Sequence, residues 1–131
     1  MNPRTGIYAI IRREQKILLV KQHKGPHLGK WDLPGGGLEV GETIEEALRR
    51  ELEEEIGLSF DTMELFDNFT AVTDWVDGKG QASTFYQVGL VYTIEGFTFS
   101  KRPGEMEPAW LDLEALPLEG ISPFVASLKK K

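Results

Sequence analysis

The chain has 131 residues, of which 40% are hydrophobic, and its formal net charge is −6. This length predicts a single domain, residues 1–131, that buries one hydrophobic core. The negative charge argues against binding of nucleic-acid polymers, and no apolar run approaches the roughly 18 residues of a membrane span. The absence of cysteine excludes disulfides and thiol chemistry, so we expect a cytoplasmic protein that does not bind membranes.

Runs of β-branched, aromatic and aliphatic residues bounded by turn residues predict the strands of this domain. They lie at residues 7–11, 16–20, 62–76, 82–94 and 106–111, with a further short strand that begins at Trp31. A polar turn at residues 12–15 predicts that the first two runs pair with each other. A turn at residues 77–80, Asp-Gly-Lys-Gly, predicts a long hairpin between residues 62–76 and 82–94.

Apolar residues at helical spacing predict one long helix over residues 43–56. A single helical turn is predicted at residues 113–116 and a closing helix at residues 122–128. This order of elements predicts an α+β fold, in which a mixed sheet carries the long helix on one face. We expect the C-terminal helix to cover the other face.

Three glutamates of the long helix lie where apolar residues are expected. At about 100° per residue, Glu51 and Glu55 fall within roughly 20° of Ile44, inside the apolar arc, and Glu54 lies at its edge. A buried carboxylate without a partner costs several kcal/mol, so these groups must be paired, protonated or bound to metal. Because Mg²⁺ prefers carboxylate oxygens, the cluster predicts a divalent cation site.

The segment before the helix predicts a phosphate-binding loop. Gly35, Gly36 and Gly37 follow a short strand, and Thr43 with Glu46 forms a capping-box pattern at the helix start. Glycines allow close approach of a ligand to the backbone. Backbone amides of the loop are therefore expected to bind phosphate oxygens of a substrate.

The same region resembles the complete Nudix box. Gly36 is followed after five residues by Glu42 and after seven more by Arg50-Glu51-Leu52-Glu53-Glu54-Glu55-Ile56-Gly57-Leu58, a span of 23 residues. The resemblance implies a Nudix-type α/β/α sandwich with a central mixed β-sheet. It also implies a metal-dependent hydrolase that cleaves a diphosphate linkage in a nucleoside diphosphate joined to another group, such as a nucleoside triphosphate or a nucleotide sugar.

The resemblance further implies roles for individual residues of the box. It implies Glu51 and Glu55 as principal ligands of Mg²⁺ or Mn²⁺, and Glu54 as a ligand or as the general base. The sequence leaves the identity of the base open. By the same resemblance the carbonyl of Gly35 is a further metal ligand, and Arg50 orients the catalytic carboxylates by ion pairing.

Residues outside the box supply further candidates for the site. A further acidic ligand is expected from a late loop, where Glu105 is the first candidate and Glu107 the second; a solvated loop acid is the alternative. Trp75 and Phe85 are expected to contact a substrate base, and Tyr86 and Trp110 are further candidates. The alternative is that these strand aromatics are core residues. Two loop histidines, His23 and His27, could touch the substrate or act in proton transfer, but neither belongs to a recognisable motif.

The residues present disfavour two alternative functions. A non-catalytic nucleotide-binding regulatory module of Nudix fold would lack box glutamates, which this chain keeps. A Nudix-fold isomerase of isoprenyl diphosphates would need a cysteine, which this chain lacks. We therefore expect an enzyme with a small-molecule nucleotide substrate, acting as a monomer or homodimer, and the sequence leaves its preferred substrate open.

Overall fold

A computed structural model describes residues 3–129. Its strands are β1 (Arg4–Ile10), β2 (Arg12–Arg13), β3 (Lys16–Lys21), β4 (Trp31–Asp32), β5 (Gly35–Gly37), β6 (Leu58–Ser59), β7 (Thr62–Val76), β8 (Ala82–Glu95), β9 (Thr98–Phe99) and β10 (Ala109–Leu111). The helices are α1 (Ile44–Ile56) and α2 (Pro123–Lys129), with short 3-10 turns at Leu113–Ala115 and Leu118–Gly120. None of the helices in this part of the chain is long and apolar enough to cross a membrane.

The main sheet has four strands in the order β5-β1-β8-β7. β1 runs parallel to β8, whereas β5 is antiparallel to β1 and β7 is antiparallel to β8. The predicted mixed sheet and the predicted long hairpin are thus confirmed. β7 and β8 continue past the start of β1, so that the end of this hairpin, residues 72–86, projects beyond the rest of the sheet.

The predicted pairing of residues 7–11 with residues 16–20 is wrong. β1 pairs with β5 and β8, and only the two residues of β2 form a tight hairpin with β3. β3 instead belongs to a second sheet with β10, β2 and β4. The reason is that consecutive residues 7–10 of β1 are all buried, which requires cover on both faces and suits a central strand better than one arm of a surface hairpin.

Two helices cover opposite faces of the main sheet. On one face Ala47, Leu48 and Leu52 of α1 belong to a buried cluster with Ile7 and Ala9. The other buried cluster contains Phe124, Val125 and Leu128 of α2, together with Tyr8 and Ile10. Alternate residues of β1 therefore serve two cores, and the architecture is the expected α/β/α sandwich.

The ends of α1 match the sequence prediction. The Thr43 hydroxyl accepts a hydrogen bond from the Glu46 amide at 3.1 Å, and the Glu46 carboxylate accepts one from the Thr43 amide at 2.9 Å. Gly57 ends the helix in the left-handed conformation, with φ of 65°. These bonds satisfy backbone groups that helix ends otherwise leave unpaired, and they fix which residues of α1 face the sheet.

Two adjacent glycines lie beneath aromatic rings on the α2 face of the sheet. Gly6 of β1 is paired with Gly89 of β8. A side chain at Gly6 would overlap the Tyr8 ring, and a Cβ at Gly89 would lie 2.7 Å from the Phe124 ring. The rings of Tyr8 and Phe124 lie 5.1 Å apart. Missing side chains in the sheet therefore make room for these rings.

We predict that Gly89→Ala lowers the free energy of unfolding by about 1–3 kcal/mol, because Phe124 is buried and has little room to move. The measurement is equilibrium urea denaturation followed by circular dichroism. Gly78→Ala is the matched control, since nothing lies within 4 Å of a Cβ at that position. Equal stability of the two variants would contradict the assigned packing.

Candidate active site

Arg50 connects the glycine loop to the acidic face of α1. Its guanidinium donates to both carboxylate oxygens of Glu42, at 2.6 and 2.8 Å, and to the carbonyl of Gly37 at 3.0 Å. It also donates to Glu51 at 2.8 Å and to Glu54 at 3.3 Å. These contacts hold the pKa of Glu42 at about 2 and raise the pKa of Arg50. One cation thus orients carboxylates from the loop and from the helix.

Glu51 is held between Arg50 and the glycine loop. Its side chain is 18% exposed, and a side chain at Gly36 would overlap its carboxylate. Burial raises the pKa of Glu51, and the Arg50 cation opposes that rise. The absence of a Cβ at Gly36 is therefore what allows the loop backbone to lie against this carboxylate.

Glu55 is the most strongly perturbed acid of α1. Its carboxylate accepts a hydrogen bond from the Gly35 amide at 3.1 Å. Burial, together with the nearby charges of Glu51, Asp32 and Glu105, raises the pKa of Glu55 to about 8, although the hydrogen bond from the Gly35 amide opposes the rise. This cluster thus has more negative charge than its cations and amides offset.

Glu54 is the most accessible of the three carboxylates. Its side chain is 53% exposed, compared with 18% for Glu51. The hydrogen bond of 3.3 Å from Arg50 is longer than the other bonds that this guanidinium makes. Glu54 therefore combines a fixed position next to Glu51 with a carboxylate open to solvent.

A late loop packs against the C-terminal end of α1. The amide of Glu105 donates to the Glu54 carbonyl at 2.9 Å, and the amide of Met106 donates to the Glu55 carbonyl at 2.8 Å. A side chain at Gly104 would overlap the backbone of Glu55. The loop thus bonds to carbonyls at the helix end and brings Glu105 near the acidic cluster.

A cleft of about 460 Å³ extends from these carboxylates across the α2 face of the main sheet. One end is lined by the glycine loop with Glu51 and Glu55, and the other by Phe85 and Gln87 of β8 with His27 from the preceding loop. The guanidinium of Arg4 lies 5.7 Å from the centre of the Phe85 ring. The cleft therefore has an acidic end and an aromatic end, where a cation lies beside neutral polar groups.

The structure separates the residues predicted to bind substrate. Phe85 lines the cleft, but Trp75 lines a different depression of about 420 Å³ near the tip of the hairpin. The expectation that both aromatics share one site is therefore not met. Trp110 packs against Phe97 and Arg13 near the α1 core, and His23 is exposed outside the cleft. Glu107 is exposed, whereas the charge of Glu105 is among those that raise the pKa of Glu55.

Several cleft residues escaped the sequence analysis. Tyr8 and Gln87 were assigned only to strands, and Asp32 only to the segment before the glycine loop. Asp32 is buried, which raises its pKa, and accepts hydrogen bonds from Ser122 at 2.6 Å and from Gln22 at 3.2 Å. Its acidic type within a short strand was the available signal, because a buried aspartate requires partners.

The acidic end of the cleft has suitable chemistry for a divalent cation. No His, Cys, Asp or Glu side chains within residues 3–129 form a group of three placed to hold a metal ion as they stand. Instead Glu51 bonds to Arg50 and Glu55 to Gly35. The donor set nevertheless fits a hard cation, because its carboxylate oxygens are of the type that Mg²⁺ prefers and their charge is incompletely compensated.

Comparisons with known proteins agree with this fold. The sequence model of the NUDIX domain matches residues 2–130. An ADP-ribose pyrophosphatase of Methanocaldococcus jannaschii is 47% identical over 58 residues, which cover 44% of this chain and 34% of that protein. An oxidized purine nucleoside triphosphate hydrolase of Danio rerio is 33% identical over 128 residues, covering 88% of this chain and 74% of that protein.

A solved structure shows the same architecture. The MutT NUDIX hydrolase from Burkholderia pseudomallei superposes with a TM-score of 0.76 at 31% identity, covering 99% of this chain and 98% of that one. With the family match over nearly all of its length, the chain belongs to the NUDIX family and is a Nudix hydrolase. Because the chain spans only about a third of the archaeal relative, that relative's activity is not transferred with the family.

Glu55 provides a test of the electrostatics through pH. Its pKa rises from 4.5 to about 8 on folding, so its protonation favours the folded state. This contribution is complete below pH 4.5 and is lost as the pH rises to about 8. In buffer with a metal chelator we predict that the unfolding free energy of the wild type falls relative to Glu55→Gln between pH 5 and 8.5, on the order of 1–4 kcal/mol.

Urea denaturation at a series of pH values measures this difference. Glu53→Gln, at an exposed position of the same helix, is the matched control and should follow the wild-type curve. Parallel wild-type and Glu55→Gln curves would show that Glu55 does not have a raised pKa.

Gly104 provides a test of the loop contact. We predict that Gly104→Ala displaces the loop, because the new methyl group would overlap the Glu55 backbone. The expected result is faster hydrogen exchange at the amides of Glu105 and Met106, measured by NMR or mass spectrometry. Gly78→Ala serves as the control, and unchanged protection of both amides in Gly104→Ala would argue against backbone docking at this position.

Proposed function

We propose that this protein is a metal-dependent hydrolase that cleaves a diphosphate linkage in nucleoside triphosphates or related nucleoside diphosphate derivatives. The observation that carries the proposal is the pair of carboxylates Glu51 and Glu55 at one end of a cleft, with Glu54 held beside Glu51 by Arg50. Carboxylates clustered in this way match a cation-dependent reaction on an anionic substrate. The opposite, aromatic end has the properties of a site for an organic group.

In this proposal Glu51 and Glu55 are the principal ligands of Mg²⁺ or Mn²⁺, and Glu54 can complete the set. The Gly35 carbonyl and Glu105 are further candidate ligands, since both belong to segments that contact α1. The bound cation supplies neutralisation of phosphate charge. The cationic partner that holds these carboxylates in place is Arg50, whose bonds to Glu51 and Glu54 fix both side chains.

We assign the role of general base to Glu54. It is the most solvent-accessible carboxylate of the three. With Arg50 it lines a neighbouring depression of about 500 Å³, where its carboxylate can contact a water molecule. Glu54 removes a proton as the water oxygen forms a bond to one phosphorus of the substrate. The bond between that phosphorus and the bridging oxygen breaks, and the second phosphate group leaves with the bridging oxygen. Nucleoside triphosphates yield a nucleoside monophosphate and pyrophosphate.

β5 provides the backbone that faces the leaving phosphates in this proposal. It is an edge strand, paired on one side with β1 and lying against α1 on the other. The Gly35 amide is occupied by Glu55 and Gly36 is paired with Ile7 in the sheet, which leaves the Gly37 amide as the loop donor assigned to the phosphates. Backbone amides at such a position bind anions without adding side-chain bulk.

Nucleoside triphosphates are the first substrates to test, including oxidised purine nucleotides. The name of the Danio rerio relative, to which 88% of this chain aligns, supports this order. ADP-ribose and other sugar nucleotides are the next substrates to test, because the archaeal relative is named an ADP-ribose pyrophosphatase. They rank second because that relative aligns over only 58 residues. The oligomeric state and the cytoplasmic location remain predictions.

We predict that Glu54→Gln lowers kcat by about 100-fold or more, because the amide cannot accept the proton of the attacking water. Activity is measured as phosphate release from nucleoside triphosphates with Mg²⁺ or Mn²⁺, after a coupling phosphatase, with a chelator blank. Glu53→Gln, the neighbouring exposed substitution, should retain wild-type activity.

Wild-type activity in folded Glu54→Gln would overturn the assignment of the base. Failure of the wild type to hydrolyse any nucleotide of the panel, with metal present and the fold verified, would overturn the proposed reaction. Activity that persists undiminished in the chelator would overturn the metal requirement alone.

A further inference from the structure

His27 is a buried polar residue without complete hydrogen bonding. Its side chain is 6% exposed, and its Nε2 atom lies 2.8 Å from the Oε1 atom of Gln87. Its Nδ1 atom is the only buried side-chain nitrogen or oxygen within residues 3–129 that lacks a hydrogen-bond partner. Buried polar groups are almost always bonded, so the unpaired Nδ1 atom next to a cleft needs a partner that the described side chains do not supply.

Gln87 contributes a second free polar group. Its Oε1 atom contacts His27, and its amide nitrogen has no hydrogen-bond partner among the side chains of residues 3–129. If Oε1 accepts from the His27 Nε2–H, the pair presents the Nδ1 lone pair and the amide N–H groups. If the amide is rotated by 180°, the pair presents an Nδ1–H and a carbonyl oxygen. In both states the pair offers one donor and one acceptor.

The pair lies at the end of the cleft away from Glu51 and Glu55, with the buried Asp32 between the two ends. Both residues line the cleft with Phe85, whose ring centre is 6.4 Å from that of His27 in an edge-on arrangement. Glu51 and Glu55 line the other end. A substrate whose diphosphate is bound at the carboxylates therefore extends its organic group toward the aromatic ring and the polar pair.

We propose that His27 and Gln87 determine base specificity by hydrogen bonding to the edge of the nucleobase. The proposal rests on the nucleotide substrate proposed above and identifies the part of the cleft that selects it. A base edge with an adjacent donor and acceptor satisfies both free groups of the pair, and the base ring contacts Phe85. An unsubstituted purine lacks an exocyclic donor or acceptor and leaves part of the pair unsatisfied, which disfavours its binding.

The experiment compares kcat/KM for three kinds of triphosphate. The first is the standard nucleoside triphosphate that the wild type prefers, the second is the triphosphate of unsubstituted purine riboside, and the third is ribose 5′-triphosphate, which has no base. Gln87→Met keeps the approximate length of the side chain and removes both polar atoms. Gln81→Met, in the exposed hairpin turn, is the matched control.

We expect the wild type to prefer the substituted base over unsubstituted purine by about tenfold or more, as for the loss of one or two hydrogen bonds. Gln87→Met should bring this ratio close to one and leave kcat/KM for ribose 5′-triphosphate within about twofold of wild type. Gln81→Met should retain the wild-type ratio. Because Gln87→Met can unfold the loop that carries His27, Gln87→Glu is made in parallel; it still accepts from His27 but has no donor, and should also lower the ratio.

Two results would overturn this proposal while leaving the proposed reaction intact. One is an unchanged base ratio in both folded Gln87 variants. The other is an equal loss for all three substrates, including the one without a base, which would assign the pair a structural role only. A wild type that hydrolyses no nucleotide would instead overturn the proposed function, and the specificity assignment with it.

Discussion

The site depends on one partly buried cation, the guanidinium of Arg50. Arg50 lies on α1, but its strongest bonds go to Glu42, which precedes the helix, and it also reaches the carbonyl of Gly37. The same guanidinium bonds to Glu51 and Glu54. Without this cation the loop and the helix would present several carboxylates to one another with no compensation, and their mutual repulsion would separate the two segments.

The glycines near the site act mainly by allowing backbone to approach other groups. Gly36 lies against the Glu51 carboxylate, and Gly104 lies against the Glu55 backbone. The first contact positions the glycine loop against α1, and the second positions the late loop against the C-terminal end of α1. The helix therefore packs between these two segments. The rigidity of the carboxylates therefore comes from segments that are distant in sequence, as is required of a site that must be positioned before substrate binds.

The sequence predicted local features well and distant pairings poorly. The limits of α1, its caps and the inward direction of Glu51 follow from helical periodicity, which nearby residues determine. The partner of β1 could not be predicted in this way, because a local hairpin and a central position in the sheet produce similar apolar runs. His27 and Gln87 are 60 residues apart in sequence. Nothing in either segment indicates that these two residues meet. Trp75 and Phe85 have the same sequence signal, an aromatic residue in a strand, and only the register of the long hairpin places Trp75 near its tip.

The hairpin of β7 and β8 has a consequence for how relatives of this protein can vary. Its outer part pairs only with itself, from Val72 opposite Tyr86 to Val76 opposite Ala82. Residues can be added or lost at that tip without changing which face Phe85 and Gln87 occupy. A single insertion between Gln87 and Gly89 would instead rotate the outer strand by half a turn and exchange its faces. Changes of length at the hairpin tip are thus compatible with the cleft, whereas changes of length within β8 next to Gln87 are not.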